Sequence, residues 1–319
     1  MLHLESIQQA AQTLRPHALI TPCVRVAWLD EFAGGAVYCK LENLQRTGSF
    51  KFRGAMNSLL QLDETARARG IITASAGNHG LGVATAAALL GCSAKIFVPE
   101  NVASAKKHKL QALGVELIIT GKDYDEAEAA GLAYARTHGL RFIHAFDDDE
   151  VIAGQGTVGL EIMSQVDMIG TVLVPVGGGG LPGGVSLAMK HSQPSIKTFG
   201  VQSEASPAMY AALAQGRVIE TPIAATIADG LAGRFVTEKT LRLAQQYYDG
   251  MLLVREQTIR RAMRELFYRQ GWRVEGSAAV GVAAILEGQI NAEGRACVVV
   301  ISGGNITEEI FAEAIRSSS

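Results

Sequence analysis

Residues 174–184 read VPVGGGGLPGG, an apolar run that breaks into four successive glycines just before a helix-forming stretch. A strand that ends in a glycine turn and opens a helix is half of a βαβ unit. It also aims main-chain N–H groups at the positive end of that helix, where an anion is favoured without any side chain. The run matches neither GxGxxG nor the P-loop pattern, so a dinucleotide or nucleoside-triphosphate reading fits poorly. A plain tight turn needs fewer glycines. Phosphate binding is the better reading of Gly177, Gly178, Gly179 and Gly180.

The pattern around this stretch repeats in both directions. Downstream come a helix over 181–191, IKTFGVQS, helices over 207–215 and 238–247, GMLLVRE, a helix over 256–270 and ACVVVISGG. Upstream, GIITASAG, AKIFVPE and VELIIT alternate with helices over 78–90, 104–113 and 125–138. Continuous apolar strands separated by amphipathic helices predict an α/β fold of two open, twisted, mostly parallel sheets flanked by helices. No Pro/Ser linker separates the two alternations, so they meet in a packed cleft, a common place for a ligand. No repeat of solenoid length is present.

Composition narrows the partner. A chain of 319 residues exceeds what one core usually supports, and two units are expected. Net charge is −2, from 29 basic and 31 acidic residues spread along the chain, so no basic face invites nucleic acid or an anionic membrane. The longest apolar stretch, LGVATAAALLG, falls well short of the ~18 residues a membrane span needs and reads as a buried helix. Cys23, Cys39, Cys92 and Cys297 lie far apart with no CxxC spacing, and no secretory leader is evident, which points to a reducing cytoplasm. A small molecule is the expected partner.

Three further motifs carry chemistry. In RTGSFKFRG, residues 46–54, Lys51 stands between Phe50 and Phe52, an unusual setting for an ammonium that normally keeps to water. In SAGNHG, residues 75–80, Ser75 and Asn78 stand where they can cap the following helix, and the free N–H groups there can equally hold a carboxylate. His79 has no Asp or Ser partner at motif spacing and reads as a packed histidine without a proton-transfer role. In ISGGN, residues 301–305, Ser302 ends the last apolar strand, where a parallel sheet presents side chains to a ligand. Glu204, Asp229 and Glu275 occupy turn-like contexts and read as solvated loop charges.

Taken together and in order, SFKFRGA, SAGNHG, GGGGL and ISGGN resemble the fold-type II pyridoxal-phosphate enzymes, in particular the threonine/serine dehydratase and serine racemase group. The resemblance covers nearly the whole chain. It implies the tryptophan synthase β-like architecture with the active site between two domains: 1–47 with 149–319 as the large cofactor-binding domain, and 48–148 as a small mobile domain. It further implies that Lys51 holds pyridoxal 5'-phosphate as a Schiff base beside Phe50, its pKa depressed by an apolar, cation-neighboured pocket. Asn78 would meet the cofactor's 3'-oxygen, Gly177, Gly178, Gly179, Gly180 and Leu181 its phosphate, and Ser302 its ring nitrogen. Ser75, Gly77, Asn78 and His79 would seat the substrate carboxylate.

Two departures from the group sharpen the expectation. Racemases of the group place a second serine where this chain has Ala76, which leaves a single base and favours elimination over inversion. The group's cation site uses a carboxylate matching Glu204, a carbonyl matching Ala208 and an aspartate where this chain has Tyr210, so the set is incomplete and no metal is expected. FAEAIRSSS follows soon after the last strand, so feedback through the regulatory domain of biosynthetic threonine dehydratases is not expected. The resemblance therefore implies a cytoplasmic, homodimeric ammonia-lyase that converts an L-β-hydroxy-α-amino acid to a 2-oxo acid and ammonia. An amino-acid racemase is the first alternative. A cofactor- or amino-acid-binding protein without turnover is the second, and the intact lysine, asparagine, tetraglycine and serine argue against it.

Overall fold

The computed structural model describes residues 2–316. Within them lie ten strands: β1 (Cys23–Arg25), β2 (Val37–Leu41), β3 (Ile71–Ala74), β4 (Ala94–Val98), β5 (Glu116–Ile119), β6 (Arg141–Phe142), β7 (Ile169–Pro175), β8 (Lys197–Ser203), β9 (Gly250–Val254) and β10 (Ala296–Ile301). They form a six-stranded sheet of order β1-β2-β10-β7-β8-β9 and a four-stranded sheet of order β5-β4-β3-β6. All pairings are parallel except β1 with β2. The two mostly parallel sheets expected from the alternation are present.

The central strands explain why this chain makes parallel sheets. Every residue of ACVVVI in β10 and of IGTVLVP in β7 is buried, as strands covered by helices on both faces must be. Helix Gly276–Leu286, nearly all apolar, joins one core with β2 and β10. Helices Asp149–Gln165 and Gly180–Ser192 pack around the core on the other side, with Val158, Ile162, Val185 and Met189 against Val172 and Val298. The helix over 149–165 starts where it does because Asp148 accepts from the N–H groups of Glu150 and Val151.

Several elements were not evident in the sequence pattern. Strand β6 has two residues, and β1 has three and pairs only through β2, so neither shows a period. The long helix over 149–165 carries DEVIAGQGTVGLEIMSQ, whose three glycines and β-branched residues disguise it; it is buried along most of its length.

Parallel order has one consequence for function. The turns that follow β3, β7 and β10 hold Ser75–Gly77, Gly177–Gly179 and Ser302, so three of the sequence motifs lie at carboxyl ends of strands.

Candidate active site

Lys51 opens the helix Lys51–Leu60, and its two phenylalanine neighbours have different tasks. Phe52 is fully buried with Ala55, Met56, Leu59 and Val83, anchoring the helix in the core at a gain of about 1.5–3 kcal/mol. Phe50 lines a cleft, its ring centroid 5.3 Å from Lys51 Nζ. The motif is stitched to the end of β10. The Phe50 N–H donates to the Ser302 carbonyl at 3.1 Å, and Ser49 bridges Gly303. The lysine and the serine, 251 positions apart in sequence, are thereby brought to one cavity (302 − 51).

That cavity measures about 610 Å³. Every residue that the resemblance assigned to the cofactor or the substrate lines it: Phe50, Lys51, Ser75, Gly77, Asn78, His79, Gly177, Gly178, Gly179, Gly180, Leu181 and Ser302. Ala76 lines it as well. Lys51 Nζ donates to the Ala145 carbonyl at 2.9 Å. Removal from water lowers its pKa from 10.5 to about 8, against the opposing pull of the Glu275 carboxylate. The expected cation beside it is therefore replaced by an anion, and burial alone produces the depression.

The capping reading of Asn78 fails. Helix Asn78–Leu89 is preceded by Gly77 and has no side-chain cap. The Ser75 hydroxyl accepts from the Gly77 N–H at 3.2 Å, while the Asn78 amide turns away and donates to Glu275. The first-turn N–H groups thus face the cleft without a side-chain oxygen, as an anion-binding helix start requires. His79 is buried with Nε2 3.0 Å from the Ile143 carbonyl, and burial lowers its pKa to about 3. It is a neutral, packed histidine at physiological pH.

At the glycine turn, Gly179 has φ +97° and helix Gly180–Ser192 begins at the next residue. A Cβ on Gly178 would lie 2.3 Å from the ring of Phe146. Side chains are excluded from this turn by backbone conformation and close packing, which leaves main-chain N–H groups as the chemistry it presents. Ser302, after the neighbouring strand β10, is 3% exposed.

One functional residue escaped the sequence reading. Glu275, taken for a solvated charge, is 7% exposed and its carboxylate accepts from Asn78 Nδ2 at 2.9 and 3.1 Å. Burial raises its pKa to about 7. Its neighbours in VEGSAAVG gave no sign of this, since the partner lies 197 residues away. Asp229 stays exposed and stands 3.8 Å from Lys106 at the cleft mouth. Glu204 is exposed, Ala208 begins helix Ala208–Gln215, and Tyr210 brings no carboxylate. Among the described residues no group of three or more His, Cys, Asp or Glu is placed to hold a metal.

The fold and the cleft define the class: a two-sheet α/β protein that brings a half-buried lysine of lowered pKa, a helix-opening glycine turn and a buried serine to one cavity. The chain belongs to the pyridoxal-phosphate dependent enzyme family, whose model matches residues 14–303. It is 44% identical over 306 residues to an L-threonine ammonia-lyase of Thermotoga maritima, an alignment that covers 96% of this chain and 76% of the relative. Among solved structures it resembles processed threonine deaminase isoform 2 from Solanum lycopersicum, with TM-score 0.91, 34% identity and coverage of 98% and 92% of the two chains. Serine racemase from Dictyostelium discoideum is similar as well, with TM-score 0.90, 34% identity and coverage of 96% and 99%.

The cofactor of this family is pyridoxal phosphate, and the cleft suits it. It offers an amine that is half unprotonated near pH 8, main-chain donors in a turn closed to side chains, and a hydroxyl in place of an acid at Ser302.

Proposed function

We propose that this protein is a pyridoxal-phosphate-dependent ammonia-lyase that converts an L-β-hydroxy-α-amino acid, with threonine and serine as the first candidates, to a 2-oxo acid and ammonia. The observation that carries the proposal is the cleft itself: Lys51 lines it as an amine of lowered pKa, and Ala76, on the same lining, has no group that could donate a second proton for inversion.

In this reading Lys51 would hold the cofactor covalently, Asn78 would meet its phenolic oxygen, Gly177–Leu181 would hold its phosphate, and Ser302 would meet its ring nitrogen. When bound, the cofactor supplies the electron sink that makes the substrate Cα–H acidic. Ser75, Gly77, Asn78 and His79 seat the substrate carboxylate at the start of helix Asn78–Leu89. Once substrate is bound, the free Lys51 amine would take the Cα proton as a base, an assignment that its pKa of about 8 supports. The β-hydroxyl departs as water with one added proton, and the released enamine hydrolyses to the oxo acid and ammonia. Ser302 would offer the ring nitrogen a hydroxyl and no acid, chemistry that favours prompt elimination over transamination.

The residues 48–148 form the small mobile domain in this proposal, closing on 1–47 with 149–319 and excluding water. The protein acts as a cytoplasmic homodimer. Four free cysteines suit a reducing compartment, and among the described residues no helix is long and apolar enough to cross a membrane.

The likeness to serine racemase favours one rival, an amino-acid racemase on the same scaffold. A panel of L-β-hydroxy amino acids, assayed for ammonia, oxo acid and the D-enantiomer, decides between them. Stoichiometric ammonia and oxo acid with little D-product is the expected result, and Ala76→Ser should raise inversion. Formation of D-enantiomer by the unaltered protein at a rate comparable with oxo acid would replace the lyase by the racemase.

A further inference from the structure

Asn78 is held from both sides by residues of the other sheet's framework. Its Nδ2 donates to both oxygens of Glu275, and its Oδ1 accepts from Asn305 Nδ2 at 2.8 Å. Asn305 Nδ2 also donates to the main-chain carbonyl of Thr47 at 2.7 Å. The polarity of this chain of bonds starts at that carbonyl, which can only accept. It selects the nitrogen end of the Asn305 amide. The same nitrogen meets Asn78, which must then present its oxygen and turn its own nitrogen to Glu275. An amide whose two ends are nearly equal in size is thus given one orientation by a backbone group outside the cleft.

The surrounding backbone is shaped to admit these side chains. A Cβ on Gly303 would lie 2.6 Å from Glu275 Oε1, and one on Gly48, at φ +73°, would lie 2.8 Å from Asn305 Oδ1. The Glu275 N–H donates to the Gly303 carbonyl, and the Gly304 N–H donates to the Gly48 carbonyl. The second and third residues of TGS and SGGN are tied together around the two side chains. Asn78 opens a helix that follows β3 of the four-stranded sheet, whereas Asn305 follows β10 of the six-stranded one and Glu275 precedes helix Gly276–Leu286.

We propose that Asn305 and Glu275 are positioning residues, a hydrogen-bonded clamp between the two sheet units that fixes the Asn78 amide so that a bound cofactor's phenolic oxygen meets its N–H and not its carbonyl. The inference rests on the cofactor-site reading above, in which Asn78 contacts that oxygen. A reversed amide sets oxygen against oxygen, and the cofactor loses both affinity and a single orientation. The clamp also joins cofactor geometry to the closeness of the two units, because Asn78 reaches both partners only when they are together.

The test compares Asn305→Asp, which keeps the shape but removes both N–H donors, with Glu275→Ala and Glu275→Gln. Each is read by the dissociation constant of pyridoxal phosphate for the apoprotein, by visible circular dichroism of the bound cofactor, by kcat and KM, and by thermal stability of the apoprotein. Asn305→Asp and Glu275→Ala should weaken cofactor binding, diminish the dichroic band and lower kcat about 10- to 100-fold, with KM changed much less. Glu275→Gln keeps an acceptor for Asn78 and should restore most of all three. Wild-type dichroism and cofactor affinity in both Asn305→Asp and Glu275→Ala would overturn the proposal, as would losses that follow only from a lowered melting temperature. Should Asn305→Asp fail to fold, Asn305→Ser carries the same comparison. Affinity and dichroism need no substrate, so an altered band in a protein that releases no ammonia would refute the lyase reading and leave the clamp standing.

Discussion

At the scale of the residue, the lysine setting is a matter of solvation. Lys51 is surrounded by Phe50, the Ala145 carbonyl and Glu275, and loss of water outweighs the carboxylate's attraction for its proton. Only the unprotonated amine attacks the cofactor's aldehyde. Covalent uptake of pyridoxal phosphate by the apoprotein should therefore quicken as pH rises through about 8 and level off above it. Stopped-flow absorbance would show this, and a rate still climbing towards the ordinary lysine pKa of 10.5 would refute the buried-amine account. Borohydride should then fix the cofactor to Lys51 and to no other lysine. Ser302 makes a second residue-scale prediction. An aspartate there would be accommodated at a strand end and would hold the ring nitrogen protonated, so Ser302→Asp should shift flux from elimination towards Cα hydrogen exchange or transamination. Measurement of Cα deuterium uptake alongside oxo-acid release checks it. Partitioning identical to wild type would mean that this contact does not control the choice of reaction.

At the scale of the element, the helix that carries Lys51 is held by a buried charge network on its first turn. Arg53, 1% exposed, donates through Nε and Nη2 to Glu42 at 2.8 Å each and reaches Glu161, which also pairs with buried Lys40. Three of these four groups are essentially removed from water, so each depends on the others for its solvation. Arg53→Leu leaves Glu42 buried without its guanidinium partner and should cost roughly 3–5 kcal/mol in denaturant unfolding. Arg53→Lys loses the two-pronged contact and should recover only part of it. The network has a pH sign as well. Arg53, Lys40 and the Thr21 hydroxyl outweigh burial and hold the Glu42 carboxyl below its ordinary 4.5. Its contribution is complete above 4.5 and is lost as pH falls through the lower folded value. Acid unfolding of wild type should begin below that point, and Glu42→Gln should flatten this part of the profile. The sequence showed the lysine and the helix-forming run but gave no sign of this support, because Lys40, Glu42 and Glu161 come from β2, the turn after it and a distant helix.

At the scale of the whole molecule, the cleft mouth is crossed by ion pairs. Arg234 reaches Asp125 and lies 3.6 Å from Asp123, both at the start of helix Tyr124–His138, while Lys106 stands 3.8 Å from Asp229. Arg234 is 42% exposed, so its pairing contributes little and is screened by salt. Arg234→Gln should change KM by no more than about fivefold. It should also blunt the response of wild-type KM to an increase of ionic strength from roughly 0.01 to 1 M. An identical salt response in both proteins would show that these pairs do not bias the closing of the cleft.

Much of this organisation was legible in the sequence because it is local. Strand and helix periods, the four glycines of 177–180, the lysine between phenylalanines and the serine at the end of ACVVVI are each confined to a few neighbouring residues, and together they marked the two-sheet fold and the residues that line the cleft. What only the tertiary structure decided is the set of partners. Glu275 became a buried acceptor instead of a surface charge because a contact 197 residues distant removed it from water. Asn78 turned from helix cap to clamp for the same reason, and Lys51 met a carboxylate where a cation was expected. Local sequence determines backbone conformation and the sites where a chain can bind. Desolvation and hydrogen-bond partners depend on which distant segments fold against each other, and these determine the charge and orientation of the groups placed there.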